Sequence, residues 1–179
     1  NHPLMENMFS YIDKYALPLT IHIAPDQYGY YGILDDTNLT GLESALQKFP
    51  NIKFLGHSAD FWSEISGDDR HGGYPAGPVI PGGRVVELMR KYPNLLGDLS
   101  AGSGLNAIMR DRKFGISFLN EFQDRLYFGH DFCSISNTQG MIQGMTLSKY
   151  LDSLLEDGAI SLKVYDKICN GNARKLLKI

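Results

Sequence analysis

The sequence predicts an α/β fold: parallel strands with outer helices, in a single domain spanning 1–179. Two observations predict it. Four short apolar runs, 17–23, 52–57, 94–99 and 125–131, are nearly continuous in hydrophobic character. That is the pattern of strands covered on both faces, not the alternation of a half-exposed sheet. The polar residues that end these runs, His22, His57, Asp98 and Asp131, lie 35, 41 and 33 residues apart, with helical patterns between them. Such spacing suits strand–helix–strand crossovers between adjacent parallel strands.

The helical segments follow in order. Residues 5–15 place Met5, Met8, Phe9 and Ile12 at helical spacing ahead of the first strand. Residues 40–49 follow it, with Thr40 as the expected N-cap, Glu43 three residues later and Pro50 as the stop. Residues 83–92 repeat the arrangement and end at Pro93. Residues 105–122 form a longer candidate, weakened by Gly115, and 147–155 and 162–177 close the chain, the last interrupted by Gly171. A Gly/Pro-rich loop, 63–83, breaks the rhythm after the second strand. A loop of that length inside a domain is often a lid or binding loop.

Composition narrows the function classes. Hydrophobic residues make up 43% and charged residues 21% of the 179, as in an ordinary globular domain. Net charge is −3 with the signs interspersed, so no nucleic-acid partner is expected. No apolar run reaches the roughly 18 residues of a membrane helix, so no membrane partner is expected either. The chain opens on Asn1, not Met, and shows no secretory signal. Two cysteines, Cys133 and Cys169, make neither a disulfide framework nor a C-x-x-C zinc knuckle, and fit a reducing, cytoplasmic location.

The strand ends carry the chemistry. Imidazole and carboxylate suit zinc, manganese, iron or nickel. In a parallel barrel all strand C-termini converge on one face, so ligands tens of residues apart can meet around one ion. Taken singly, a histidine at a strand end is more often structural than a ligand, and Asp131 can serve as a helix N-cap. Three such residues at strand ends are harder to explain that way. His130 adjoins Asp131, and neighbouring strand residues point to opposite faces, so Asp131 is the ligand of choice. A complete barrel needs eight strand–helix units and typically about 250 residues. Four units leave two readings, half of a barrel or a small open sheet.

The segments Leu17-Pro18-Leu19-Thr20-Ile21-His22, Phe54-Leu55-Gly56-His57-Ser58 and Leu126-Tyr127-Phe128-Gly129-His130-Asp131-Phe132 resemble strands five, six and eight of the amidohydrolase-related family of metal-dependent hydrolases and decarboxylases. Gly171-Asn172-Ala173-Arg174-Lys175-Leu176-Leu177 resembles that family's closing helix. The resemblance runs along essentially the whole chain, in order. It implies the C-terminal half of a (β/α)₈ TIM barrel, with His22, His57 and Asp131 as ligands of a divalent metal, zinc or else manganese or iron. It implies Asp131 and His57 as catalytic residues, with metal-activated water attacking a carbonyl-type small-molecule substrate. A decarboxylase on the same scaffold is the alternative. The family's first-strand His-x-His pair has no counterpart here. An inactive fragment, or one that pairs with a missing N-terminal half or a second copy, is therefore the third expectation.

Other residues complete the expected site. Phe61 and Trp62, just after His57, are expected to line a substrate pocket, or else to cover the barrel edge. Arg70, in the long loop beside His71, is a candidate clamp for a substrate carboxylate, or else a solvated charge. Asp98 is expected to orient a ligand or cap a helix. Ala101-Gly102-Ser103-Gly104 offers a helix N-terminus to an anion, or a plain turn. Cys133 falls near the metal in sequence, and burial as a small apolar residue is the competing reading.

Overall fold

The computed structural model describes residues 2–24, 32–132 and 141–179. Helix α1 (Pro3–Lys14) begins with proline at its first position, where no amide proton is needed, and His2 Nδ1 accepts from the Leu4 amide at 3.3 Å. Phe9 of α1 meets Phe49 and Phe54 edge-on, with ring centroids 5.5 and 5.7 Å apart. Strand β1 (Pro18–Ala24) follows, then the two-residue strand β2 (Ile33–Leu34) and helix α2 (Thr40–Lys48).

The start of α2 differs from expectation. Thr40 is its first helical residue, and the N-cap is Leu39 in a left-handed conformation, φ 53°. Asp35 and Asp36 do the capping. Asp35 accepts from the amides of Gly41 (2.8 Å) and Leu42 (2.7 Å), and Asp36 from that of Thr40 (3.0 Å). Carboxylates satisfy these donors and also meet the positive end of the helix dipole.

Strand β3 (Lys53–His57) leads into the short helix α3 (Ala59–Ser63), then the long loop, helix α4 (Arg84–Lys91) and strand β4 (Leu95–Asp98). The segment expected as one helix, 105–122, belongs to two: α5 (Ala101–Met109) and α6 (Arg112–Glu121). The break is not at Gly115. It is at Asp111, whose side chain caps α6 by accepting from the Phe114 amide at 3.1 Å. Gly115 is instead where the two helices touch, since a Cβ there would stand 1.9 Å from the Ile108 carbonyl oxygen.

The fourth strand, β5 (Leu126–Tyr127), is shorter than the expected 125–131. A hairpin of β6 (Met141–Ile142) and β7 (Met145–Thr146) turns through Gln143 and Gly144, both at positive φ. Helices α7 (Leu147–Glu156) and α8 (Leu162–Asp166), a π-helical turn (Lys167–Gly171) and α9 (Asn172–Leu177) end the chain.

The five-stranded sheet runs β2-β1-β3-β4-β5 and every pairing in it is parallel. The four expected strands thus lie side by side in chain order, with β2 added at the edge. Its outer face, with Ile21, Phe54, Leu95 and Leu126, packs on the helices in the main core. Its inner face buries Leu55, Leu96 and Tyr127 against Ala173 and Leu176 of α9. That cover was not expected. The expectation was that a second copy or an N-terminal fragment covers the inner face and first edge, or else that the first unit is rearranged. Here the closing helix covers the apolar inner trio, and β2 pairs with β1 at Ile23 and Ala24. No described helix is long and apolar enough to cross a membrane.

The 63–83 loop is tied down along its length. Gly67 donates to the Ile80 carbonyl (2.8 Å), Ile80 to Ser66 Oγ (2.9 Å), Val79 to the Asp111 carboxylate (3.1 Å), and Asn106 to the Pro75 carbonyl (3.1 Å). It is a loop with its backbone partners supplied from the fold.

Candidate functional site

Register builds the site. His22 stands opposite His57 on adjacent strands, and Gly56 opposite Gly97, so that Asp98 follows His57 at the same level. Strand alternation puts His22, His57 and Asp98 on the inner face, above Thr20, Leu55 and Leu96. Three side chains able to move protons or bind metal therefore share the C-terminal rim of three neighbouring parallel strands. The His22 and His57 rings are 5.5 Å apart between centroids.

His57 is the centre of the group. It is buried, and its Nδ1 lies 3.4 Å from Asp98 Oδ2 and 3.3 Å from Ser100 Oγ. Its other nitrogen, Nε2, lies 3.8 Å from Asp131 Oδ2. Asp98 is fixed in turn, because its Oδ1 accepts from the Ser100 amide at 2.9 Å and its carbonyl accepts from Trp62 Nε1 at 2.9 Å. The Asp98 carboxylate thus binds the amide of Ser100, the N-cap of α5, just ahead of the 101–104 segment that was read as an anion site or a plain turn. Gly104 is there for packing, since a Cβ would meet the Leu99 carbonyl oxygen at 2.4 Å.

Asp131 is not at a strand end. It lies beyond β5 on the exposed turn that follows, in a left-handed conformation with φ 56°. Gly129 lets that turn come close, since a Cβ there would be 3.0 Å from Ser100 Cβ. His130 points elsewhere, with its ring between Phe128 and Phe132, both at 5.0 Å.

The two histidines are driven apart in acidity. Burial pulls the His57 pKa down, but the hydrogen bond and charge of Asp98, with help from Asp131, outweigh it, and the net shift is upward. His22 moves down, first through burial and then through the charge of His57, with Asp60 and Asp131 opposing. Asp98 moves down. Burial pushes its pKa up, and the His57 and Ser100 hydrogen bonds more than offset that. Asp60, beside His22, is raised, mainly by burial.

Two expected substrate residues are corrected. Phe61 and Trp62 are 0% and 2% exposed and belong to the core. Phe61 fills the space over Gly56, where a Cβ would stand 2.2 Å from its ring, and Trp62 covers Gly97. These glycines leave room under the strand for two large rings. Arg70 is corrected too. Its guanidinium is spent on the Asp68 carboxylate and the carbonyls of Ala76 and Pro78, which shape the loop. Cys133 lies outside the described residues.

The metal expectation meets a limit. Donors of a tetrahedral site with bonds of about 2.0–2.2 Å stand roughly 3.4 Å apart. The His57–Asp131 pair at 3.8 Å comes near that. Asp98 on the far nitrogen of His57 is the outer carboxylate that metal-bound histidines commonly carry. Yet among the described residues no group of three histidine, cysteine, aspartate or glutamate side chains is placed to hold an ion. The described residues fit part of a metal site, not a whole one.

Sequence reasoning ranked Asp98 second and overlooked Ser100 and Asp60. The signal for Asp98 was present, as the polar end of the third strand. Ser100 and Asp60 carry none that separates them from ordinary capping residues.

No family model and no curated protein matches the chain by sequence. Among solved structures, an uncharacterised TIM-barrel protein from Bordetella bronchiseptica is similar in fold, with a TM-score of 0.62 at 16% identity. The match covers 98% of this chain and 50% of that one, so the chain spans about half the length of the barrel protein it resembles. Parallel strands in chain order, helices outside, and a match to half of a TIM barrel together make this the fold of a partial (β/α)₈ barrel.

Proposed function

We propose that the chain supplies the C-terminal half of a barrel hydrolase, with His57 and Asp131 handling the protons of an attacking water at the C-terminal rim. One observation carries this reading: His57 stands between two carboxylates, Asp98 on Nδ1 and Asp131 on Nε2. Asp98 holds the Nδ1 proton, which leaves Nε2 to face the site. The 3.8 Å from Nε2 to Asp131 is too long for a direct hydrogen bond and allows both groups to address one atom between them. His57 and His22 have their acidities pushed in opposite directions, which is how neighbouring groups come to divide acid and base roles. The substrate is a small molecule with a carbonyl-type centre.

A divalent metal, zinc or else manganese or iron, belongs to this proposal through the family resemblance. His22, His57 and Asp131 are its candidate holders, completed by donors from outside the described residues. When bound, such an ion lowers the pKa of water to about 7. The chain's own residues orient His57, keep Asp98 ionised beside it and present Asp131 from the turn after β5.

The test uses the protein with its complete barrel. Metal content is measured by elemental analysis, and a panel of esters, lactones and amides is screened for hydrolysis. His57→Asn and Asp131→Asn are each expected to lower kcat/KM by about 10²–10⁴-fold with the fold intact. Carbon dioxide release without hydrolysis moves the assignment to a decarboxylase. Unchanged activity in both variants removes the site from the reaction.

A further inference from the structure

Among the described residues, the Arg110 guanidinium is buried without a hydrogen-bond partner. Arg110 ends α5, and its Nε and both terminal nitrogens are buried without a hydrogen bond to any side chain or carbonyl among the described residues. Nearby carboxylates are already engaged. Asp111 accepts from the Phe114 amide through Oδ1 and from the Val79 amide through Oδ2, each at 3.1 Å. Asp68 is held by Arg70, whose Nε donates to it at 2.8 Å. The surroundings thus hold two guanidiniums, with Asp68 and Asp111 near Arg110 and Asp68 and Asp69 near Arg70, and of the two guanidiniums only Arg110 has its donors unused. Burial is the chief cause that lowers its pKa, with the Arg70 charge adding to it, and Asp68 and Asp111 only partly oppose. Arginine nonetheless keeps its proton in proteins, so the charge stays. Buried guanidinium donors without acceptors are costly, and such groups are normally hydrogen-bonded.

The place is built of fixed parts. Asn106, one turn before Arg110 on α5, donates to the Pro75 carbonyl, and Arg70 reaches the carbonyls of Ala76 and Pro78. The long loop is therefore strapped over the end of α5. The other end of α5 adjoins Ser100, which touches His57. Ten residues of helix put Arg110 roughly 15 Å from there. The two places are separate.

We propose that Arg110 is the binding residue of a second site, at the junction of α5 and the 63–83 loop, which takes a small oxyanion, carboxylate or phosphate. The planar guanidinium fork matches two oxygens of either group, and such pairing is the strongest a neutral-pH cation makes. Arg70 adds positive charge beside it. The oxyanion supplies the missing acceptors.

The test is thermal unfolding of the full chain, titrated separately with inorganic phosphate and with succinate, against sodium chloride at matched ionic strength. The wild type is expected to show a saturable rise in Tm of about 3–6 °C at ten times Kd. A rise with phosphate alone or succinate alone assigns the natural ligand class, and a rise with both supports the site as stated. Arg110→Met keeps the length and removes the charge. It is expected to match or exceed the wild-type Tm without anion and to lose the response. Arg110→Lys keeps the charge without the fork and is expected to raise Kd at least about tenfold while folding normally. No anion-specific rise in the wild type, a rise that persists in Arg110→Met, a lower Tm for that variant without anion, or an unchanged Kd in Arg110→Lys would each overturn the proposal.

Discussion

His57 and Asp98 face each other across adjacent parallel strands, Nδ1 to Oδ2 at 3.4 Å, both on the inner face of the sheet. The pair couples fold to chemistry. Strand register sets their level, and Ser100 ties the carboxylate to the start of α5.

Asp98→Asn removes that charge and keeps the shape. Burial then acts on His57 opposed only by Asp131, so the His57 pKa should fall relative to wild type. A histidine NMR titration reads this directly, and an unchanged pKa would mean Asp98 does not govern the ring. If the proposed hydrolase reading holds, loss of this carboxylate is expected to cost about 10–100-fold in activity of the complete barrel.

Trp62 tests the corrected assignment. Its indole donates to the Asp98 carbonyl at 2.9 Å and its ring lies over Gly97. Trp62→Phe leaves that carbonyl without its donor and the space underfilled, at a cost of about 1–3 kcal/mol in denaturant unfolding. KM should stay within twofold of wild type. A KM effect with unchanged stability would return Trp62 to the substrate pocket.

Most of the fold was legible because its signal is local. The apolar runs at 17–23, 52–57 and 94–99 contain strands, and each carries a polar residue where the chain reaches the rim. The rest depends on contacts that sequence spacing does not encode. Residues 105–122 read as one helix because apolar spacing continues through Asp111, and only the cap on Phe114 reveals the break. Phe61 and Trp62 read as pocket residues because they follow His57. Gly56 and Gly97, distant in sequence, provide the space that draws them into the core. Arg110 carries no sequence signal at all, since its burial comes from the chain folded around it.

Glu43 ties α2 to α4. It accepts from Lys91 Nζ and Tyr92 Oη, both at 2.8 Å, and pairs with Arg84. Lys91 first, then Tyr92 and Arg84, pull its pKa from 4.5 down to about 2. Its folded pKa lies below the unfolded one, so the unfolded chain binds more protons between them. The contribution to stability is complete above about pH 4.5 and is lost as pH falls toward 2. Glu43→Gln should cost about 1 kcal/mol at pH 7, where networked surface charges contribute on that order. The gap to wild type should close on acidification, and urea unfolding at several pH values measures it. A gap that stays constant with pH would place the effect in packing instead of charge.

Gly115 is the contact between α5 and α6. A Cβ would stand 1.9 Å from the Ile108 carbonyl oxygen, and backbone cannot yield as a side-chain tip does. Gly115→Ala should destabilise by about 2–4 kcal/mol, despite alanine's better helix propensity. Chemical denaturation decides. Stabilisation would show that the helices separate freely and that Gly115 has no packing role.

Helix α9 closes the inner face. Ala173 and Leu176 pack on Leu55, Leu96 and Tyr127, while Asn172 donates to the carbonyls of Gln123 at 2.7 Å and Leu126 at 2.9 Å. Those two bonds fix the start of the helix to the last strand. In a complete barrel an inner face of this kind is filled by side chains from the other strands. In this chain the helix is what shields it. Truncation after Gly171 removes both the cover and the bonds, exposing three large side chains on one face of a parallel sheet. An apolar patch beside an incompletely paired edge favours association between chains. The truncated chain should therefore shift from its full-length mass toward dimers or larger species in light scattering at micromolar concentration. It should also bind a hydrophobic dye that the full chain does not. Asn172→Ala is the milder form, with a cost of about 1–3 kcal/mol for one buried and one part-buried carbonyl losing their donor and no change in mass. A truncated chain with full-length stability and unchanged association state would show that the inner face needs no cover from α9.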